Sequence, residues 1–261
     1  MRIDIHTHAF HPKVAHRVTS QLEGHYGIAP TANGLLDDLR ERLRRAGLDR
    51  AVVHTAATDP AQVVPANNWA ISIKENCPEL VPFGTMHPDY DDIDTELERL
   101  ERAGIKGLKF HPDFQGFALN GFRFFRLMER IGRRFTLMVH VGDAVPAALC
   151  KSSPDKLALL RKFFPEPRII AAHMGGYRHW DLALQTLAGT DVYFDTSSTL
   201  PFVDPGLLRR LLDAHPAERV LFGSDYPLFD PGTEVERLQR TLGLSDERLE
   251  TFLTAGAHLI S

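Results

Sequence analysis

The sequence has little cysteine and no long apolar segment. Its two cysteines, Cys77 and Cys150, are far apart and form no Cys-x-x-Cys motif. This argues against a disulfide framework or a zinc–thiolate site and is typical of a reducing compartment. No apolar run approaches the ~20 residues that a membrane-spanning helix needs, and the first residues lack the apolar core of a secretory signal peptide. We therefore expect a cytoplasmic protein.

Neither sign of charge dominates the chain. It carries 30 lysines and arginines against 34 aspartates and glutamates, for a formal net charge of -4. A chain with this balance lacks the basic footprint that nucleic-acid-binding proteins use to neutralise phosphates. We expect a small-molecule substrate as the partner, with no nucleic acid and no membrane, and a homodimer remains open as the assembly.

A glycine-rich phosphate loop is also absent, whereas strands and helices alternate regularly along the chain. The predicted strands are the segment that begins at residue 3 and residues 50–54, 80–86, 105–110, 135–141, 168–172, 191–195 and 219–223. The predicted helices cover residues 12–21, 33–46, 67–76, 91–103, 121–133, 154–164, 180–188, 205–214, 234–242 and 247–257. Residues 22–31 are expected to be irregular because they contain Gly24, Gly27 and Pro30.

Eight short apolar strands, each followed by a helix, predict the fold class. Strands this apolar are buried on both faces, as parallel strands are. The expected fold is α/β, a single (β/α)8 TIM barrel that spans residues 1–261 as one domain. A doubly wound open sheet is the alternative, and it would usually show a glycine-rich loop after an early strand.

Histidines and one aspartate follow the predicted strands. His6 and His8 end the first strand, and alternate residues leave a strand on the same side, so both imidazoles can reach one metal ion. His140, His173 and Asp225 end the fifth, sixth and eighth strands. Barrel enzymes carry their active sites at these ends of the strands. The ligand types suit Zn²⁺ first, with Mn²⁺, Fe²⁺, Co²⁺ or Ni²⁺ as alternatives.

Each of these residues taken alone has an ordinary structural explanation. His140 could be a hydrogen-bonded core histidine, and Asp225 could cap a helix or stabilise a turn. The occurrence of all five at the ends of predicted strands is what predicts a metal site.

The same residues carry a resemblance to the amidohydrolase superfamily. The sequence is most similar to the amidohydrolase-2 branch, which includes the aminocarboxymuconate-semialdehyde decarboxylase-like enzymes. The resemblance extends over essentially the whole chain: the early His-x-His, the histidine at strand five, the His-Met-Gly-Gly turn at strand six and Gly-Ser-Asp-Tyr-Pro at strand eight. It implies one divalent metal held by His6, His8, His140 and Asp225, with His173 as an acid/base or polarising residue.

Lys109 bears on the number of metal ions. It lies near the end of the fourth predicted strand, where binuclear superfamily members often carry a carboxylated lysine. Lys109 and His173 are therefore candidate ligands of a second metal. A substrate-binding cation or an ion pair inside the barrel is the alternative that we prefer for Lys109, so a single metal is our expectation.

The resemblance implies hydrolysis of an amide, ester or lactone by a metal-activated water, with Asp225 as the base and His173 stabilising the oxyanion. One alternative is the non-oxidative decarboxylation of a small carboxylic acid, aromatic acids included. A second is a TatD-like nuclease, which uses a glutamate where this chain has Lys109 and His111; a metal-binding barrel without activity is a third. The candidate substrate-binding residues are Lys109, His111, His54, His87 and Tyr177.

Overall fold

The computed structural model describes residues 1–260, and the predicted barrel is confirmed in them. The strands are β1 (Ile3–Thr7), β2 (Arg50–Val53), β3 (Leu80–Pro82), β4 (Gly84–Thr85), β5 (Gly107–Phe110), β6 (Thr136–Val139), β7 (Ile169–Ala171), β8 (Tyr193–Asp195) and β9 (Val220–Leu221). The helices are α1 (Ala15–Tyr26), α2 (Leu36–Ala46), α3 (Val63–Asn76), α4 (Ile93–Arg102), α5 (Pro112–Gln115), α6 (Phe122–Ile131), α7 (Pro154–Phe163), α8 (Trp180–Thr186), α9 (Pro205–Ala214), α10 (Pro231–Leu242) and α11 (Asp246–Ala255).

All neighbouring strands are parallel, and they run in the order of the sequence. β3 and β4 together form the third barrel strand, which was predicted as one segment over residues 80–86. The break falls at Phe83, whose amide donates to the carbonyl of Val53 at 2.9 Å; β3 pairs with β2 before this residue and β4 pairs with β5 after it. The break therefore marks the position where the strand changes hydrogen-bonding partners.

Backbone hydrogen bonds between β1 and the segment that follows β9 close the barrel. The amide of Ile5 donates to the carbonyl of Phe222 at 2.9 Å, and the amide of Asp225 donates to the carbonyl of His6 at 2.8 Å. The closure places the segment after β9 beside the end of β1. It thereby brings together residues that are more than 200 positions apart in the sequence.

Two apolar layers hold the barrel. The larger lies between the strands and the surrounding helices. The smaller contains alternate strand residues, such as Val52, Met138 and Ile170, together with Leu259 after α11. The carbonyl of Leu259 lies near the hydroxyl of Thr136, the first residue of β6, so this layer fills the end of the barrel opposite the histidines.

The first helix differs from its prediction in a way that matters for the site. A helix was expected over residues 12–21, but α1 continues through Gly24 to Tyr26. It ends at Gly27, whose positive φ of 65° is favourable for glycine and is a common helix terminus. The extra turns carry His25 and Tyr26 to the open end of the barrel.

The short helix α5, directly after His111, was not predicted. Among residues 1–260, no helix combines the length and the apolar character needed to cross a membrane.

His215 provides a test of the fold that is independent of the site. It is buried against Phe194 of β8, with the ring centroids 4.0 Å apart. Its Nε2 donates to the carbonyl of Val192 at 3.1 Å, and its Nδ1 accepts from the amide of Gly189 at 3.3 Å. Burial lowers the pKa of His215 to about 4, because a charged imidazolium would lose its hydration there.

We expect the stability that depends on neutral His215 to be complete above pH 6.5 and to be lost as the pH falls towards 4. A His215→Gln variant should therefore lose less unfolding free energy between pH 7 and pH 5 than the wild type, as measured by urea denaturation of metal-free protein. His16→Gln, an exposed control on α1, should retain the wild-type loss. Equal losses in all three proteins would contradict the assignment.

Candidate metal centre and active site

The ends of β1 and β9 bring three predicted metal ligands together. His6 lies in β1, His8 follows it, and Asp225 follows β9. The Nε2 atoms of His6 and His8 are 3.2 Å apart. Asp225 Oδ1 lies 3.6 Å from His6 Nε2 and 3.4 Å from His8 Nε2. One ion placed among these three atoms would contact all of them.

The hydrogen bonds on the far side of each ring determine which nitrogen is free. His6 Nδ1 lies 2.9 Å from Asp195 Oδ2, and His8 Nδ1 lies 3.1 Å from the carbonyl oxygen of His54. Both partners can only accept, so each Nδ1 carries the proton and each Nε2 presents a lone pair. Two lone pairs and a carboxylate oxygen that face one another are mutually repulsive unless a cation lies between them. The residues therefore fit a divalent metal ion.

His173 and His140 extend this cluster. His173 Nδ1 lies 3.1 Å from the carbonyl oxygen of Ser197, and His140 Nε2 lies 3.0 Å from that of Gly142. The two remaining nitrogens, His173 Nε2 and His140 Nδ1, again bear lone pairs and are 3.0 Å apart. The ring of His173 stacks on that of His6, with centroids 5.1 Å apart.

The predicted ligands thus fall into two adjacent groups. His6, His8 and Asp225 form one set whose ligand atoms all lie within 4.8 Å of one another, and His6, His173 and Asp195 form another. His140 belongs to neither set and lies beside His173. The structure brings all five sequence-predicted residues together, with His140 on the His173 side.

Two of these residues have a left-handed backbone that side chains other than glycine rarely adopt. His173 has a φ of 61° and Asp225 a φ of 65°. Such conformations cost on the order of 1–3 kcal/mol and persist only when neighbouring contacts enforce them. Here the amide of Asp225 donates to the carbonyl of His6. The amide of Met174, the residue after His173, donates to the carbonyl of Asp195 at 2.7 Å. The strain aims both side chains at the cluster.

Lys109 is the cation within the cluster. Its side chain is only 1% exposed, and its Nζ lies 3.1 Å from His6 Nε2. Burial lowers the pKa of Lys109 to about 8, although the nearby charges of Asp225 and Asp195 oppose this shift. The ammonium therefore persists at neutral pH and approaches the same nitrogen that would bind a metal.

The electrostatics of the ligands favour cation binding. Burial, followed by the charge of Lys109, lowers the pKa of His6 to about 4, so its imidazole is neutral near pH 7. Burial alone would raise the pKa of Asp225, but the neighbouring His6, His8 and His173 hold it well below its usual range. His6 therefore offers a neutral imidazole and Asp225 an ionised carboxylate, which are the forms that bind metals.

A cavity of 1040 Å³ opens above these residues. Three of the predicted substrate-binding residues line it, namely Lys109, His111 and Tyr177. Two do not. His54 is fully buried, and its Nε2 lies 2.9 Å from the carbonyl oxygen of Ile5 in β1. His87 Nε2 lies 2.9 Å from the carbonyl oxygen of Gln115, so both rings are anchored to the backbone behind the cavity wall.

The sequence did not identify Asp195, whose carboxylate accepts a hydrogen bond from the Nδ1–H of His6. Burial would raise the pKa of Asp195, but the charge and hydrogen bond of His6 outweigh burial and lower it to about 2. Ser197 was also missed, and its hydroxyl lies 3.0 Å from His6 Nδ1 and 2.9 Å from His173 Nδ1. The same signal that identified the histidines, a polar residue at the end of a predicted apolar strand, applies to Asp195.

Comparisons with known proteins show the family and the fold of the chain. A family model described as amidohydrolase matches residues 3–255, which confirms the resemblance found in the sequence. No curated protein matches the chain at a significant level.

Solved structures with the same fold include enzymes of two kinds. A 2,6-dihydroxybenzoate decarboxylase from Rhizobium is 13% identical, with a TM-score of 0.72 over 99% of this chain and 98% of that one. A proposed 2-pyrone-4,6-dicarboxylic acid hydrolase from Pseudomonas putida is 20% identical, with a TM-score of 0.67 over 99% and 97%. A dihydroxybenzoic acid decarboxylase from Polaromonas sp. JS666, with bound manganese and the inhibitor 2-nitroresorcinol, is 14% identical, with a TM-score of 0.68 over 99% and 96%. At these identities the likeness shows the fold.

Proposed function

The chain belongs to the amidohydrolase family whose model matches residues 3–255, and from this membership we propose that it is a metal-dependent hydrolase of a small anionic organic ester, lactone or amide. The observation that carries the proposal is the convergence of unprotonated ligand atoms at the floor of the cavity. The lone pairs of His6 and His8 face Asp225, and the buried ammonium of Lys109 lies beside His6. The lone pair of His173 faces that of His140. Zn²⁺ and Mn²⁺ both suit this ligand set.

The metal would be held by His6, His8 and Asp225, with His140 as the predicted fourth ligand. When bound, a divalent ion acidifies a water molecule and polarises a carbonyl oxygen. Asp195 and the carbonyl of His54 fix the tautomers of the two ligating histidines. Such partners orient a ligand and raise its basicity.

His173 is suited to transfer a proton from the attacking water to the leaving group. Its Nδ1–H is held by the carbonyl of Ser197, so its Nε2 can accept the proton of an attacking water and return it to the leaving group. Asp225, the base expected from the sequence, is the other candidate for this transfer and also faces both ligating histidines as a metal ligand.

The volume and the lining of the cavity favour an anionic substrate that is larger than a single ring. Its volume of 1040 Å³ lies at the upper end of the range for small-molecule sites. Lys109 lies at its floor, and the side chains of Lys13 and Arg17 from the region of α1 line its wall. Three cations along one cavity favour a substrate with one or more carboxylates, and the apolar residues between them favour a planar carbon skeleton.

Decarboxylation is the second candidate, and Lys109 is the observation that favours it. An ammonium beside the metal ligands can bind the carboxylate that is lost, and two of the structures with the same fold are decarboxylases. In this reaction the carbon–carbon bond to the carboxylate breaks, its electron pair stays on the ring carbon, and an acid delivers a proton there.

Elemental analysis of protein purified without chelators tests the first element of the proposal. We expect about one divalent ion per chain, and no ion even after reconstitution would contradict the metal-dependent function.

Isotope labels then separate the two reactions on a panel of lactones, esters and aromatic carboxylates. Hydrolysis in H₂¹⁸O places ¹⁸O in the product acid and releases no CO₂. Decarboxylation in D₂O places deuterium on carbon and releases CO₂. Protein stripped with a chelator is the control, and its activity should return when metal is added.

A further inference from the structure

Tyr26 is a cavity residue that the metal chemistry does not use. It is the last residue of α1, and its half-buried ring forms part of the cavity wall. The ring centroid lies 6.4 Å from that of His140 and 5.7 Å from that of Tyr177, which it meets at a right angle. Tyr26 therefore reaches the catalytic end of the barrel from an element outside it.

The hydroxyl of Tyr26 is held in place by one histidine. Its oxygen lies 3.0 Å from His111 Nε2. His111 Nδ1 accepts from the amide of Phe114 and caps α5, so Nδ1 has no proton and Nε2 carries it. The Nε2–H of His111 must then donate to the oxygen of Tyr26.

The ring of His111 is itself fixed by stacking. It lies between Phe114, with centroids 3.9 Å apart, and His140, with centroids 3.8 Å apart, and it is nearly parallel to both. A ring held on both faces keeps the position and direction of its Nε2–H. The tyrosine oxygen is consequently located by a rigid stack that reaches the predicted metal ligand His140.

This arrangement leaves the proton of Tyr26 free. Within residues 1–260, His111 is the hydrogen-bond partner of the Tyr26 hydroxyl, and it uses the oxygen as an acceptor. The O–H can therefore donate into the cavity that also contains His140 and Asp225.

We propose that Tyr26 is a catalytic hydrogen-bond donor to a substrate oxygen that becomes more negative during the reaction. The oxygen is that of a carbonyl in hydrolysis, or of a phenol or carboxylate in decarboxylation. Lys109 and Tyr26 line the same cavity, Lys109 beside the metal ligands and Tyr26 on the side wall, so they offer a substrate donors from two directions. The assignment deepens the proposed function and rests on it for the nature of the substrate, whereas the presence of an oxyanion-binding donor does not depend on turnover.

The test compares Tyr26→Phe with Tyr193→Phe in metal-loaded protein. Tyr193 is a matched control because its hydroxyl also lies within hydrogen-bond distance of a histidine Nε2, 3.1 Å from that of His258. This pair is exposed, away from the cavity. The probe is 2-nitroresorcinol, a coloured oxyanion whose binding is measured by its difference spectrum. Bound metal is measured in each variant.

We expect Tyr26→Phe to bind the probe about tenfold more weakly, since a hydrogen bond to a charged group is lost. Its metal content should not change. With an identified substrate, kcat should fall about 100-fold, as for the loss of one oxyanion donor, while KM changes little. Tyr193→Phe should match the wild type in all three measurements.

Equal probe affinity in Tyr26→Phe and the wild type would overturn the assignment, and so would a wild type that does not bind the probe. Weaker probe binding in Tyr26→Phe without turnover of any substrate would instead support Tyr26 and contradict the proposed reaction.

Discussion

Asp225→Asn is expected to remove most of the bound metal and to lower kcat/KM by about 10⁴-fold or more. Asp225 is the carboxylate that faces both His6 Nε2 and His8 Nε2, at 3.6 and 3.4 Å. An amide of the same shape has no negative charge, so the cluster loses the anion that balances the ion. Elemental analysis and the activity of the purified variant measure the two effects.

Asp195→Asn should weaken metal binding at the same centre, but less than Asp225→Asn does. Asp195 does not face His8, but it accepts the Nδ1–H of His6 at 2.9 Å. Loss of such a partner typically lowers metal affinity by about 10–100-fold. A chelator-competition titration should therefore place Asp195→Asn between the wild type and Asp225→Asn.

Asp37→Asn on α2 is the control for both substitutions, because its side chain is 97% exposed. It should retain the metal and the activity of the wild type. Full metal content in Asp225→Asn, with the protein folded, would show that the ion lies elsewhere.

The ends of the strands were the part of the site that could be predicted from the sequence. His6, His140 and His173 each follow a short apolar segment, and in a parallel barrel the carboxyl ends of all strands meet at one rim. The alternation of strands and helices therefore predicts that residues distant in the sequence lie close together, even though the contacts themselves are not known. The barrel itself followed from the same alternation of strands and helices.

Other features depend on contacts that periodicity does not encode. His54 and His87 also follow strands, yet backbone carbonyls hold their rings outside the cavity. Tyr26 reaches the cavity because α1 continues through Gly24, which a sequence pattern treats as a helix breaker. The free nitrogen of each histidine depends on the acceptor behind its ring, such as Asp195, and such acceptors come from other strands.

Lys109 is the residue whose role most affects the reaction, because it can bind substrate or bridge two metals. Its Nζ lies 3.1 Å from His6 Nε2, and its side chain is buried among the ligands. An ammonium ion this close to a metal-ligating nitrogen would repel a divalent cation bound there unless an anion lies between them. A substrate carboxylate in this position would contact both charges.

We therefore expect Lys109→Met to retain about one metal ion per chain. Its kcat/KM for an anionic substrate should fall by about 10³-fold, as expected when a buried charge pair with the substrate is lost. Methionine keeps the length and apolar stem of lysine, so the barrel interior remains filled. Elemental analysis and steady-state kinetics give both quantities.

A carboxylated Lys109 makes the opposite prediction for the metal. Wild-type protein would then hold about two ions, Lys109→Met would lose at least one of them, and added bicarbonate would raise the metal content of the wild type but not of the variant. Lys106→Met is the control, since Lys106 precedes β5 and its side chain is exposed. One ion in both Lys109→Met and the wild type, with activity lost only in Lys109→Met, would assign the ammonium to the substrate; unchanged activity in Lys109→Met would leave it a structural cation.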